Sequence, residues 1–454
     1  MKAKNADVSF TTGGIGRALI CFALPLLLSS FIQLAYNAVD LIFVGNYLGT
    51  SASAAVGEGG LPVTCLVSFI TGISVGAGVV IARYCGAKDR QNLQNATHTA
   101  LLLSVIAGII LTVVGFVLAP FFLQWLRVPE SVMGLATEYL RIYFISLLPM
   151  VLYNMGSAVL RACGDAKRPM VYLASGALLN LLLDWLFIGI FGWGVAGAAW
   201  ATTLSQTLSA VLTVAHLLRT KREYRIALRK LRLHKDQMRQ MIRLGLPAGI
   251  QACMLTLSNL VVQFYINGFG ENAVAAFSAY FKVENFMYLP ILAFGQAMTS
   301  FAGQNIGANQ VKRVKKGVKI ALALSVSSTV VISGVVLLTA PYLFGMFNPQ
   351  VEVIDCGVQI ITVTAPLYLI YAVIEVFLGA VRGAGASLIP MAISVSNLCV
   401  LRTVLLAVIV PLWGSVQAIA AVYPITWAAT AVSLLFYYRH LYRSQAVQPA
   451  QYSL

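Results

Sequence analysis

Four carboxylates lie inside long apolar stretches of this 454-residue chain: Asp40, Asp184, Glu284 and Glu375. An acid at the centre of a membrane-spanning helix costs about 2.5–3.5 kcal/mol on insertion scales unless it is paired, hydrated or protonated. Acids in such places are therefore the first candidates for a functional site. Their chemistry is that of oxygen ligands and proton acceptors.

Asp40 and Asp184 each lie near the outer end of an apolar stretch, and Asn180 precedes Asp184 by one helical turn, on the same face. Thr202 lies about three turns into the next stretch. We expect these four residues to converge in the outer half of one helical bundle. Their oxygens suit a small hard cation such as sodium, or a proton shared between crowded acids. The alternative is a polar cluster that only stabilises helix packing, which is costly for two acids without a basic neighbour.

The other two acids indicate a substrate cavity. Asn154 and Glu375 each lie seven residues before an arginine and could face each other across a central cavity. A buried glutamate attracts cationic substrates, and aromatic side chains stack on flat cations. Charge pairing with Lys282 and Arg402, and ordinary packing of the aromatic residues, are the alternatives. The residues predicted to line the cavity are Tyr36, Asn37, Asn154, Glu284 and Glu375.

Composition places these residues in a membrane protein. The chain is 59% hydrophobic and only 10% charged, whereas a soluble globular protein carries about 25% charged residues. Twelve apolar segments are long enough to span a bilayer, which takes about 20 residues. They are 16–45, 52–83, 92–119, 132–160, 168–190, 194–218, 238–267, 272–304, 316–339, 352–380, 387–410 and 414–438.

The distribution of lysines and arginines along the chain predicts the membrane topology. With the N-terminus in the cytoplasm, 27 of the 31 lysines and arginines fall on the cytoplasmic side, and Arg127 is the single one outside. Twelve spans then place both termini inside. Ten of the basic residues lie between Arg219 and Arg243, in a segment that we interpret as a linker against anionic headgroups, with no nucleic-acid role.

The chain is an internal duplication. Pairs of equivalent residues recur at an offset of 220–222 across five loops; examples are Gly86 with Gly307, Gly164 with Gly385, and Pro25 with Pro247. Six spans per half insert in the same direction, as in transporters built from parallel repeats. The predicted domains are 1–218, a basic linker at 219–237, and 238–454.

The two halves of the duplication differ in the charged residues within their spans. Asp40 corresponds to Val262, so the second half lacks this acid, and it carries Arg402 at similar depth. A single coupling-ion site in the first half is therefore expected. Neither a nucleotide-binding loop, a zinc-binding HExxH nor a GxSxG nucleophile motif occurs, so we expect no enzyme activity and no cofactor.

The sequence resembles the multidrug and toxic compound extrusion family over about residues 15–440, in the DinF-like branch. The motifs that carry the resemblance are Pro25 with 40–45, Gly86-Ala87-Lys88-Asp89, 160–165 with Pro169, 180–184, 303–308, and 382–385 with Pro390.

The resemblance implies a V-shaped pair of six-helix bundles that exports amphipathic, often cationic compounds by antiport with protons or sodium. It also implies cation coupling by Asp40, Asn180, Asp184 and Thr202, and bending of the first helix at Pro25. A second branch of the family uses acids in helices seven and ten. Leu255 and Tyr371 occupy those positions here, which argues against that type of ion site.

We therefore predict a monomeric, multi-pass exporter of the bacterial plasma membrane, with amphipathic small molecules as substrates and protons or sodium as the coupling ion. The same-class alternative is a lipid or lipid-linked-sugar flippase. The alternatives of another class are an intramembrane enzyme and a passive channel, which would conduct without a counter-ion.

Overall fold

The structure, a computed structural model, describes residues 8–58, 60–125 and 128–447, without the side chains at 41, 42, 44, 46, 48–58, 60–62 and 444–447. Within these ranges the secondary structure is helical, and no strand occurs. Lys2, Lys4, Arg127 and both chain ends, which enter the charge argument, lie outside the described residues.

The helices of the first half follow the predicted spans. Each long apolar segment is helical because its backbone amides and carbonyls must all be bonded within the segment in a bilayer. The elements are α1 (Ile15–Glu58), α2 (Gly60–Ala87), α3 (Arg90–Trp125), α4 (Glu130–Ile145), α5 (Leu147–Ala162), α6 (Lys167–Asp184) with a π-helical turn at Trp185–Ile190, and α7 (Gly194–Arg219).

The second half repeats the pattern. Its elements are α8 (Lys235–Asn267), α9 (Glu271–Gly307), α10 (Val311–Phe347), α11 (Val351–Thr364), a short 3₁₀ turn at Ala365–Leu367, α12 (Tyr368–Gly383), α13 (Leu388–Val395), a π-helical turn at Ser396–Leu401, α14 (Arg402–Trp413) and α15 (Val416–Val447). The pairs α4–α5, α11–α12 and α13–α14 each make one kinked span, so the described helices form twelve spans. Eleven are long and apolar enough to cross a membrane by composition alone, and the less apolar α9 is the twelfth.

One predicted boundary is wrong. The sequence suggested a loop at 46–51 between the first two spans, but α1 continues as a helix to Glu58 and α2 begins at Gly60. The polar and small residues after Gly45 lowered the hydropathy there, while none of them breaks a helix. Asp40 therefore lies in the interior of a 44-residue helix rather than near its end.

The duplication is visible in the backbone. Lys88 and Asn309, which are repeat-related, are the two described non-glycine residues with left-handed φ, at 57° and 56°. Gly164 and Gly385 form a second such pair, with φ of 92° and 78°. In the first pair the left-handed residue lies at the end of a long helix, just before the next one begins.

The described chain forms two compact units whose borders differ from the predicted domains. The first unit contains Leu24–Gly249, and the second combines Ser9–Ala23 with the chain from Ile250 onward. Both borders fall within a helix and next to the repeat-related prolines, Pro25 in α1 and Pro247 in α8.

Packing explains why the N-terminal segment belongs to the second unit. Phe10 is fully buried and makes edge-to-face contacts with Phe22 and Phe301, with ring centroids 4.9 and 5.6 Å apart. The Arg313 guanidinium donates hydrogen bonds to the carbonyls of Phe10, Thr12 and Gly13. Sequence periodicity alone carries no sign of these long-range contacts.

The basic linker is likewise an integral part of the first unit. Tyr224 and Ile226 are buried in an apolar cluster with residues of α2, α3 and α5. The backbone N–H of Ala227 donates to His98 Nε2 at 3.0 Å, and that of His234 donates to Thr99 Oγ1 at 3.1 Å. The predicted linker at 219–237 is therefore docked on the bundle, and its buried apolar residues contribute to the docking.

Candidate cation site and substrate cavity

The predicted cation residues meet inside the first unit. Asn180 and Asp184 occupy successive turns of α6, and Thr202 lies on the adjacent α7; these three side chains are 1%, 0% and 4% exposed. Asp40 on α1 is half-buried, and its carboxylate interacts electrostatically with that of Asp184. The helical spacing and depth thus bring together two acids, an amide and a hydroxyl, as the sequence suggested.

Several polar atoms of this cluster have no partner among the described residues. Both carboxylate oxygens of Asp184, Oδ1 of Asp40 and Nδ2 of Asn180 are buried without a hydrogen bond. The Asn180 amide can be flipped to present its oxygen, because N and O are assigned from the hydrogen-bond network. Unsatisfied buried polar atoms are costly, so these oxygens fit a bound proton or a hard cation.

The structure adds three tyrosines that surround the acids. Tyr36, one turn before Asp40, donates its hydroxyl to Thr202 Oγ1 at 3.4 Å. Tyr139 and Tyr143 of α4 lie close enough to Asp40 to interact electrostatically with it. Sequence reasoning missed both residues of α4, although two tyrosines four residues apart in one span are a recognisable signal.

No basic side chain of the described chain pairs with either acid. Arg141 lies on the same helix as Tyr139 and Tyr143, but its guanidinium packs over the Phe116 ring at 5.3 Å. The described ion pairs of this unit, Arg90 with Glu223 and Arg168 with Asp165, involve neither Asp40 nor Asp184. The two acids therefore share a site without a compensating positive charge.

The backbone of α6 changes where it reaches the site. The π-helical turn Trp185–Ile190 begins directly after Asp184. Such turns leave backbone groups in irregular geometry and occur often at functional sites. This turn also rotates the helix that follows, so Asp184 is the last side chain in the α-helical register of α6.

A small pocket between α1, α6 and α7 adjoins the site. Tyr36 belongs both to the pocket wall and to the cation cluster through its bond to Thr202. The pocket is lined by Gln33, Tyr36, Leu173, Gly176, Ala177, Ser205, Gln206 and Ser209. Gly176 allows α6 and α7 to approach closely at this point, because a Cβ there would lie 2.1 Å from Ser209 Oγ.

The residues predicted to line the substrate cavity differ in their exposure and in their contacts. Tyr36 lines the pocket and Asn37 is exposed. Asn154 is half-buried and donates its amide to the Met150 carbonyl of its own helix. Glu375 lies against Gly295 of α9, where a Cβ would approach Glu375 Oε2 to 3.0 Å.

Glu284, by contrast, is 7% exposed and enclosed by tyrosines. Among the described residues it forms no ion pair with Lys282 or Arg402, and neither does Glu375. Lys282 instead packs over the Phe347 ring at 5.1 Å. Glu284 and Lys282 therefore do not pair, since residues two apart on a helix project to different faces; the alternative of charge pairing with Arg402 stays a prediction.

Pro25, the predicted bending point, lies inside α1 at the border of the first unit. The Ser29 hydroxyl donates to the Pro25 carbonyl at 2.8 Å. Its conformational role remains a prediction.

Comparison with known proteins identifies the family. The MatE family profile matches the chain twice, over residues 25–186 and 247–408. "Probable multidrug resistance protein YpnP" of Bacillus subtilis is 30% identical over 394 residues, which cover 87% of this chain and 88% of that protein. "FAD transporter" of Shewanella oneidensis is 29% identical over 429 residues, with 91% and 92% covered.

Solved structures share the fold. An outward-facing multidrug resistance MATE family transporter superposes with a TM-score of 0.92 at 22% identity, covering 99% of this chain and all of that chain. A MATE structure in a bent conformation gives 0.90 at 23% identity, covering 98% of this chain. The double profile match, starting at Pro25 and Pro247, confirms the duplication and the twelve-helix arrangement in two bundles. The chain therefore belongs to the multidrug and toxic compound extrusion family, MatE, a family of multi-pass membrane transporters.

Proposed function

We propose that this protein exports amphipathic, mainly cationic organic compounds by antiport against protons or sodium ions, and that the coupling ion binds at Asp40 and Asp184. The observation that carries the proposal is the buried pair of acids without a basic partner. Two carboxylates in this setting bind a positive ion in one part of the cycle and release it in another.

Each residue has a chemical task in this cycle. Asp184 and Asn180 hold the ion from α6, and Thr202 adds a hydroxyl from α7. Asp40 completes the site from α1, so ion binding stabilises one position of that helix relative to the others. A membrane potential contributes about 2.3 kcal/mol per charge per 100 mV to such an exchange.

The adjoining pocket supports the substrate part of the proposal. It presents hydroxyl and amide groups beside the Tyr36 ring, and an aromatic ring stacks on flat cations. Two relatives named as probable multidrug resistance proteins support drug export. We further propose a monomer in the bacterial plasma membrane with both termini in the cytoplasm.

The test is dye transport in proteoliposomes under separately imposed proton and sodium gradients. We expect one gradient to drive transport, and we expect Asp40→Asn and Asp184→Asn to reduce ion-driven transport at least about tenfold, since each removes a negative charge that binds the ion. Asp355→Asn, which changes an exposed acid of α11, is the matched control.

The same assay separates the alternatives. Full ion-driven efflux by Asp40→Asn would contradict a coupling role of Asp40. Flux that is independent of both gradients would indicate a passive channel. FAD is included as a second substrate because a relative of similar identity is named as its transporter. Ion-driven movement of FAD without the dye would replace the cationic substrate class.

A further inference from the structure

A second buried acid lies in the other unit, within a network of tyrosine hydroxyls. Glu284 Oε1 accepts a hydrogen bond from the Tyr280 hydroxyl at 3.2 Å and one from the Tyr368 hydroxyl. The two hydroxyls also lie 3.1 Å apart. Tyr280 and Tyr368 are fully buried, so the carboxyl group is sealed between α9 and α12.

Aromatic rings close this network on its remaining sides. The Tyr288 ring lies 5.5 Å from that of Tyr368 and 5.0 Å from that of Tyr371. Trp427 of α15 is fully buried and contacts the Tyr368 ring at 4.8 Å. The carboxyl group is thus surrounded by buried aromatic side chains, and a proton needs no further space there.

The charged group nearest to Glu284 in electrostatic terms is Arg402, at the start of α14. Its guanidinium packs over the Tyr423 ring at 4.7 Å and donates to Asn259 Oδ1 at 3.4 Å, without an ion pair to Glu284. Glu375, further along α12, interacts with Tyr371 and Arg382 instead. The groups facing Glu284 are thus Tyr280 and Tyr288 of α9, Tyr368 and Tyr371 of α12, Tyr423 of α15 and Arg402.

We propose that Glu284 is a proton-binding site of the second unit, in which the hydroxyls of Tyr280 and Tyr368 hold the carboxyl group in both of its protonation states. A hydroxyl is both donor and acceptor. The two tyrosines donate to the carboxylate, and after a proton from water adds to one carboxylate oxygen, a rotated hydroxyl accepts the new O–H. The carboxyl group thus keeps hydrogen bonds to these hydroxyls in either state, as a buried polar group requires.

This site is independent of the one at Asp40. At the repeat offset of 221, Glu284 corresponds to Val63, so the first unit holds no copy of it. Each unit therefore carries its own acid at a position where the other is apolar. The inference goes beyond the proposed function, because it requires neither a substrate nor the ion at Asp40.

Trp427 provides the readout, since it touches Tyr368. We measure tryptophan fluorescence of the detergent-solubilised full chain against pH. The wild type is expected to show a transition that Glu284→Gln abolishes and Asp40→Asn keeps. Tyr368→Phe is expected to move the midpoint to higher pH by about one unit, because a donor to the charged carboxylate is lost.

Two results would overturn the proposal. One is an unchanged transition in Glu284→Gln; the other is an unmoved midpoint in Tyr368→Phe, which remains decisive if Glu284→Gln does not fold. Loss of the transition in Trp427→Phe verifies that this ring reports it, and a persisting transition there overturns the assignment. A failure of ion-driven transport in the vesicle assay would leave these outcomes unaffected, so the two proposals are tested separately.

Discussion

A bound ion stabilises Asp184 in particular, because its carboxylate is fully buried and both of its oxygens lack a hydrogen bond among the described residues. Asp40 is half-buried and keeps one unpartnered oxygen. Under the proposed function the two acids therefore differ in role: Asp184 retains the ion, and Asp40 completes the site from α1. Residue types and depth sufficed to predict this cluster. The tyrosines of α4 were not predicted, because hydropathy reports depth and says little about which face of a helix meets its neighbour.

At this scale we predict a moderate effect of Tyr36→Phe. The substitution removes the hydrogen bond to Thr202, and one neutral hydrogen bond contributes about 0.5–1 kcal/mol. The concentration of coupling ion that gives half-maximal dye transport is therefore expected to rise about 2- to 5-fold. Tyr47→Phe, at an exposed tyrosine of the same helix, is the control. Equal effects of the two substitutions would argue against a role of the Tyr36 hydroxyl.

The π-helical turns and the close helix crossings position these residues. The π-helical turns follow Asp184 and precede Arg402, so in both units a polar residue marks the change of helical register. Within the first unit, Gly76 of α2 crosses Gly245 of α8 so closely that a Cβ would lie 2.3 Å from the Gly245 nitrogen. The sequence predicted all twelve spans, while neither the π turns nor the docking of the linker could be predicted, because both depend on tertiary contacts.

An element-level prediction concerns Asp89, which caps α3 outside the membrane-spanning segments. Its Oδ1 accepts the Asn92 backbone N–H at 3.1 Å, and Oδ2 accepts the Asn92 side-chain amide at 2.8 Å. These hydrogen bonds lower the pKa of Asp89. Because the folded-state pKa lies below the unfolded one, the stabilisation is present at neutral pH and is lost as the pH falls through the folded value.

We therefore expect Asp89→Ala to destabilise the first turn of α3 by about 1 kcal/mol at pH 7, and by less in acid. Hydrogen exchange of the amides at 90–93 measures the change. Asp89→Ser, which restores a capping oxygen without a charge, is expected to recover most of the protection and to lose the pH dependence. The same acid sensitivity in Asp89→Ser would contradict this account of the cap.

At the scale of the whole molecule, the two halves share a helix arrangement because of the duplication. They differ in the positions of their buried acids. Val262, the counterpart of Asp40, is fully buried and apolar, while Glu284 is present only in the second unit. The offset of repeated residues predicted the two halves. It could not predict that Ser9–Ala23 belongs to the second unit, because Phe10 and Arg313 are three hundred residues apart and their contact leaves no periodic signal.

Antiport requires that the coupling ion and the substrate weaken each other's binding. Thermodynamic linkage makes the two effects equal in size. The measurement is the dissociation constant of a cationic dye for the solubilised protein, by fluorescence anisotropy, at rising sodium concentration and separately at falling pH. We predict that it increases about 5- to 150-fold, the usual range of such coupling, with one of the two ions in the wild type and with neither in Asp40→Asn. A wild-type dissociation constant that is independent of both ions would contradict coupled exchange at Asp40 and Asp184.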